Sequence, residues 1–215
     1  MNTAAEFIRD ISIWAVPTIF AIIAHEVMHG VVARWLGDDT AARAGRLTLN
    51  PVSHIDPFGT IILPAFLLFL RLPVFGYAKP VPVNFSRLRN GRTGMIEVAA
   101  AGPLTNLALA IASAVALRIL MPLQAGPGPH PIALPLFDMM DASVIINVML
   151  AVFNLLPLLP LDGGRVIAGL LPLPAARVFA RLEPYGFLIL LLLLYTNSIT
   201  AVIDPVINAI ARILL

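Results

Sequence analysis

The chain has 215 residues, of which 59% are hydrophobic and only 12% charged, with a formal net charge of +2. Soluble domains carry about 25% charged residues, so this composition argues against a soluble globular domain, and so small a net charge argues against a nucleic-acid partner. There is no cysteine, which excludes a disulfide framework and any thiolate-bound metal; a metal site would have to draw on His, Asp or Glu.

A membrane helix needs about 20 mostly apolar residues, and the chain offers such runs in order. The first spans Ile11 to Trp35 and has neither the basic start nor the small-residue cleavage site of a secretory signal. A shorter run, Phe58 to Leu72, is broken by Pro64 and predicts a re-entrant or interfacial hairpin. Next comes "YAKPVPVNFSRLRNG" (Tyr77 to Gly91), whose "VPV" predicts a small extended or β segment, confined by its prolines to an edge or to isolation. A plain connecting loop is the other reading. The second span is Gly94 to Leu120, the third Met140 to Leu161, and the fourth Tyr185 to Ile203, ended by Asp204-Pro205. Pro205 to Leu215 predicts a short interfacial helix. The expected fold class is an all-α polytopic membrane protein, one membrane-embedded domain over residues 1–215 with four full spans and the bilayer as its partner.

Basic residues mark the cytoplasmic side. Arg34, Arg43 and Arg46 follow the first span, Lys79, Arg87, Arg89 and Arg92 precede the second, and Arg165, Arg177 and Arg181 follow the third. Met121 to Asp138 holds no Lys or Arg. The first span therefore ends inside and the second begins inside, so the 58–72 run must enter and leave on one face. Irregular backbone at that depth is tolerated only under a cover of protein or around a wet cavity.

Within "AIIAHEVMHGVVARW" (Ala21 to Trp35), His25-Glu26-Val27-Met28-His29 reads H-E-x-x-H. Residues four apart share a helix face, so two imidazoles can bind one zinc ion while Glu26 beside them acts as general base. An acidic group at the bilayer centre costs about 2.5–3.5 kcal/mol, and intramembrane ionisable groups are functional by default.

Two histidines leave zinc short of a ligand, since such sites use three protein ligands and one open position. His130 lies in the predicted outer loop, on the wrong face. Asp162, in "NLLPLLPLDGGRV" (Asn154 to Val166), lies at the inner end of the third span, at a depth similar to His25 and His29. Without the histidines it would read as an ordinary helix-end aspartate. Gly163 and Gly164 let the chain turn closely around it.

Together these patterns resemble the site-2 protease family of intramembrane zinc metalloproteases, in the compact prokaryotic branch. That family pairs H-E-x-x-H with N-x-x-P-x-x-x-L-D-G, here Asn154, Pro157, Leu161, Asp162 and Gly163. A G-x-x-x-N/S/G pattern appears as Gly102 to Asn106, "GPLTN". "NPVSHIDPFGT" and "AKPVPVN" also fit, so the resemblance covers nearly the whole chain. It implies Zn²⁺ on His25, His29 and Asp162, with Glu26 as catalytic base. Asn154 would hold the substrate strand or the oxyanion. Gly102 and Asn106 would allow close helix packing and supply a polar contact, pure packing being the other reading of Gly102. An unwound substrate would pair with the segment near Val81 to Val83, because exposed strand edges accept extended peptides. No stretch is expected to form the PDZ domain or CBS pair of other members.

The resemblance thus implies cleavage of a transmembrane protein or peptide near the cytoplasmic face of a prokaryotic inner membrane. The substrate and the oligomeric state are not legible. His54 is open to three readings: a metal ligand, a gate for water, or a hydrogen-bonded loop residue. A zinc transporter or sensor is a rival, although no polar stepping stones are evident in the outer halves of the spans. A non-catalytic protein that grips membrane helices is another, and it would not need Glu26.

Overall fold

A computed structural model describes residues 4–71, 76–121 and 133–215. The first apolar run forms one helix, α1 (Ala4–Trp35). A single turn, α2 (Thr40–Arg43), follows. A π-helical stretch (Pro57–Ile62) runs into α3 (Leu63–Phe69), and α4 (Arg92–Leu120) and α5 (Ala133–Asn154) complete the long helices. Then come α6 (Asp162–Leu170), α7 (Leu173–Ala180), α8 (Glu183–Tyr195) and α9 (Ser198–Leu214).

The protein is all-helical among the described residues, and α1, α4 and α5 are each long and apolar enough to cross a membrane. Counting the bent pair α7 and α8 as one span raises the number to four. These three helices pack against one another as the frame, with α6 against α4 and α9 against α5. The contacts are made by small and branched residues: Ala110 and Ala114 of α4 meet Val144 and Val148 of α5 in one buried cluster. Large apolar side chains point outward instead, among them Trp14, Ile111, Ile119 and Leu188. That inversion is the mark of an integral membrane protein, whose outer surface meets lipid.

Several expectations change. The third helix starts earlier than Met140 and ends at Asn154, because Pro157 and Pro160 cannot continue it. The fourth run is not one helix. It breaks between α8 and α9, where Asn197 takes φ 55°, a left-handed conformation that Asn tolerates better than most residues. Asp204-Pro205 ends nothing; Pro205 lies inside α9, which absorbs the expected terminal helix. The chain that leaves through the π-helical stretch is back beside it at Tyr77, whose N–H donates to Gly59 O and whose carbonyl accepts from Thr60 Oγ1, both at 3.0 Å. Leu72, like His130, lies outside the described residues.

The β segment is also corrected: no strand forms among the described residues. The reason is where its N–H groups go. Tyr77 N–H goes to Gly59 O, Lys79 N–H to His54 O, Val81 N–H to Glu26 and Asn84 N–H to Asp38, while Pro80 and Pro82 have none to give. Residues 76–84 have no regular secondary structure, and side chains and loops hold them in place of a ladder.

Asp38 anchors one end of this segment. It is fully buried just beyond α1, and it accepts hydrogen bonds from Thr40 N–H at 3.1 Å, from the Thr40 hydroxyl, and from Asn84 N–H at 2.6 Å. Burial pushes its carboxyl up, but the bonds from Thr40 and Asn84 and the nearby Arg87 outweigh it and hold the group below the usual carboxylate range. A carboxyl lowered on folding stabilises the fold above its unfolded pKa, and that contribution fades as pH falls through its folded value. Asp38→Asn turns a donor toward buried N–H groups and is expected to cost about 1–3 kcal/mol at neutral pH. Thermal unfolding in detergent should show a lower midpoint for the variant, with the gap to wild type closing in acid. A gap independent of pH would remove the carboxylate from the explanation.

Candidate metal centre

Helices α1, α4 and α6 converge on one point, with the end of α5 and the 76–84 segment beside them. The α1 register sets His25 and His29 on the same face, turned toward α4, with ring centroids 4.7 Å apart at 84°. Asp162 opens α6, where the positive end of the helix dipole favours a carboxylate. It reaches α1 because Gly163 and Gly164 lie flat on the preceding loop. A Cβ on Gly163 would collide with the Leu155 carbonyl, and one on Gly164 would lie 2.5 Å from the Leu158 carbonyl carbon and Leu159 nitrogen.

Asp162 Oδ2 lies 3.0 Å from His25 Nε2 and 3.3 Å from His29 Nε2. Among the described residues, one group of His, Asp and Glu side chains lies close enough to share a metal ion, and it is these three, with candidate donor atoms within 4.8 Å of one another. The remaining ring nitrogens are taken. His29 Nδ1 lies 2.7 Å from Val98 O, and His25 Nδ1 lies 2.6 Å from Asn106 Oδ1. A carbonyl oxygen only accepts, so each Nδ1 carries a proton, and Nε2 is the ring atom that each histidine turns toward Asp162.

Asp162 Oδ2 is itself buried with no donor. Three lone-pair donors facing one another are what a cation binds, and zinc takes His nitrogen and Asp oxygen in such a set. Space is kept for it. A Cβ on Gly102 would lie 2.5 Å from His25 Nε2 and 2.6 Å from His29 Nε2, within the cradle between the rings.

Glu26 lies at the same cleft, and its Oε2 accepts the Val81 N–H at 2.9 Å. The cleft has a volume of about 340 Å³, and besides Glu26 and the three candidate ligands it is lined by Asn154, Val83 and Arg165. Asn154 Nδ2 donates to Leu150 O at 2.9 Å. The Val81 side chain is buried, and a Cβ on Gly30 would meet it at 2.9 Å. With its N–H on Glu26, Val81 has no amide left to offer a partner strand. A second cavity of about 420 Å³, lined in part by Ile22, Phe153 and Leu190, opens off the same His25, Glu26 and Asn154.

His54 is not in this group. It is buried against a separate, largely apolar cavity, with Nε2 on Thr48 O at 2.8 Å. Asp56 caps the π-helical stretch through Phe58 and Gly59 N–H.

Sequence reasoning passed over Arg165, which lines the cleft, and Asn147, which bonds Asn106. Arg165 lies with its guanidinium carbon 5.3 Å from the Phe85 ring centre. Asn147, 1% exposed, accepts from Asn106 Nδ2 at 2.9 Å. A lone amide in the middle of "ASVIINVML" was the available signal. Asn106, Asn147, Ser143 and Ser113 form a polar chain that leads from His25 along the contact between α4 and α5. These are neutral groups bonded to one another, and none supplies an imidazole or carboxylate.

Comparison with known proteins finds relatives along most of the chain. The Bacillus subtilis protein named "Putative zinc metalloprotease YwhC" is 38% identical over 191 residues, covering 89% of this chain and 84% of its own. "Putative zinc metalloprotease Rip2" of Mycobacterium tuberculosis is 29% identical over 191 residues, 88% of this chain and 68% of its own. Its Mycolicibacterium smegmatis namesake is 28% identical over 193 residues, 90% and 69%. No family model and no solved structure matches the chain.

Proposed function

Because this chain belongs to the site-2 protease family, we propose that it is an intramembrane zinc metalloprotease that hydrolyses a peptide bond in or near a transmembrane segment of its substrate. The carrying observation is the buried, donorless Asp162 Oδ2 between two imidazole Nε2 atoms, with Glu26 at the same cleft. His25, His29 and Asp162 would hold the ion. Zinc in such a site supplies Lewis acidity and makes hydroxide available near neutral pH.

The chain's own groups do the rest. Glu26 takes a proton from the attacking water and returns it to the leaving amine. The Val81 N–H keeps Oε2 in place, and no other hydrogen bond to Glu26 forms among the described residues. Asn154, with one amide proton on Leu150 O, has its second for a substrate carbonyl. The substrate must enter unwound, since a helical peptide bond is shielded by its own hydrogen bonds. Arg165 lines the cleft, Arg92 donates to Ala168 O of α6 and Arg34 lies in the last turn of α1 beyond His29, which supports a cytoplasmic active site in a prokaryotic inner membrane. The rivals, a zinc transporter and an idle helix-binding protein, gain no ligand set elsewhere among the described residues.

The test is cleavage of a panel of transmembrane peptides by purified protein in detergent. Removing metal with a chelator should stop cleavage, and adding zinc should restore it. Cleavage that survives complete zinc removal would overturn the reading.

A further inference from the structure

We infer that Asn147 is a positioning residue of the metal centre, acting through Asn106 on His25. The inference rests on the zinc reading above and extends it to a residue that touches neither metal nor substrate.

Asn106 is 0% exposed. Its Nδ2 has two partners, Ala21 O at 3.2 Å and Asn147 Oδ1 at 2.9 Å. Both are acceptors, so the amide is fixed with Oδ1 toward His25. Asn147 is oriented in turn, because its Nδ2 donates to Ser143 O at 2.9 Å and to Ser143 Oγ at 3.2 Å. Each amide has one way round that leaves no donor facing a donor.

The consequence reaches the ring. Asn106 Oδ1 keeps the His25 proton on Nδ1, which leaves the Nε2 lone pair for the ion. Without Asn147, only the longer bond to Ala21 O orients Asn106. If its NH₂ turns to His25, the ring proton moves to Nε2 and that lone pair is lost. The relay joins α1, α4 and α5 in an apolar interior where helix contacts need no amide. Packing alone does not call for two asparagines there.

The test is a double-mutant cycle on zinc affinity, read by competition with a chromophoric chelator. Asn106→Leu should weaken binding about 10–100-fold, the usual cost of losing an outer-shell partner, and Asn147→Leu about 10-fold, the lower end of that range. The double variant should bind no more weakly than Asn106→Leu alone, because Asn147 acts only through Asn106. Cobalt-loaded Asn147→Leu should show altered visible bands. Ser113→Ala removes the Ser113–Ser143 hydroxyl contact of 2.8 Å between the same helices and should leave zinc affinity unchanged. If Asn147→Leu does not fold, Asn147→Ser, whose hydroxyl is too short to reach Asn106, takes its place in the cycle. Unchanged affinity and cobalt spectrum in the Asn147 variant, or losses that add in the double variant, would overturn the inference alone. A wild type that takes up no zinc would instead sink the zinc reading, and the inference with it.

Discussion

Gly102→Ala is expected to strip the protein of metal and activity while leaving its helices folded. The added methyl would lie 2.5 Å from His25 Nε2, 2.6 Å from His25 Cε1 and 2.6 Å from His29 Nε2. No carbon sits that close to ring atoms, so the rings must retreat. They have little freedom to do so, because each Nδ1 is tied, to Asn106 and to Val98 O. Either the Nε2 atoms move off the ion's position or the methyl occupies it. Zinc affinity should fall by at least about 100-fold, beyond the usual cost of an outer-shell change, and cleavage should fall with it. Helix propensity pulls the other way: alanine in a helix interior is favoured over glycine by about 1 kcal/mol, so helical content should survive. Metal content and circular dichroism on one sample separate the two effects. Full zinc and wild-type turnover in Gly102→Ala would mean that the rings can shift and that Gly102 serves packing alone.

Glu26→Gln should do the reverse, keeping zinc while cleavage falls by about 10²–10⁴-fold, the usual contribution of a general base. The amide is nearly the same size, and its oxygen can still accept the Val81 N–H. What it cannot do is take a proton. Zinc content near wild type, together with loss of cleavage across the peptide panel, would assign the proton transfer to Glu26. Equal cutting by both proteins would point to another base or a contaminant.

Much of the site is readable because its parts are local. His25, Glu26 and His29 lie within five residues, and helix periodicity alone puts both imidazoles on one side. Asp162 is reachable by depth and topology, which need only span boundaries and the distribution of arginines. The unread parts depend on tertiary contacts. Glu26 and Val81 are 55 residues apart, and no periodicity links a carboxylate to one particular backbone amide. Asp38 looks like a surface aspartate after a helix until the fold brings Asn84 to it. Asn147 looks like a stray polar residue until Asn106 is seen opposite. The α8–α9 break falls at Thr196-Asn197, where Asn197 takes a left-handed conformation in a short polar stretch of an apolar run. Hydropathy averages over such a residue, whereas backbone conformation does not.

The bond from Val81 to Glu26 ties the reacting machinery to a part of the chain outside the helical frame. His25 and His29 are registered by α1 and braced by α4, but the oxygen of the base is registered by the 76–84 segment. That segment is itself moored by Arg46 on Lys79 O, His54 O on Lys79 N–H and Gly59 O on Tyr77 N–H. The candidate metal ligands and the candidate base are thus held by separate supports. Under the proposed function, a displacement of this segment would move the candidate base while leaving the candidate ligands where they are, so proton transfer would fail before metal binding did.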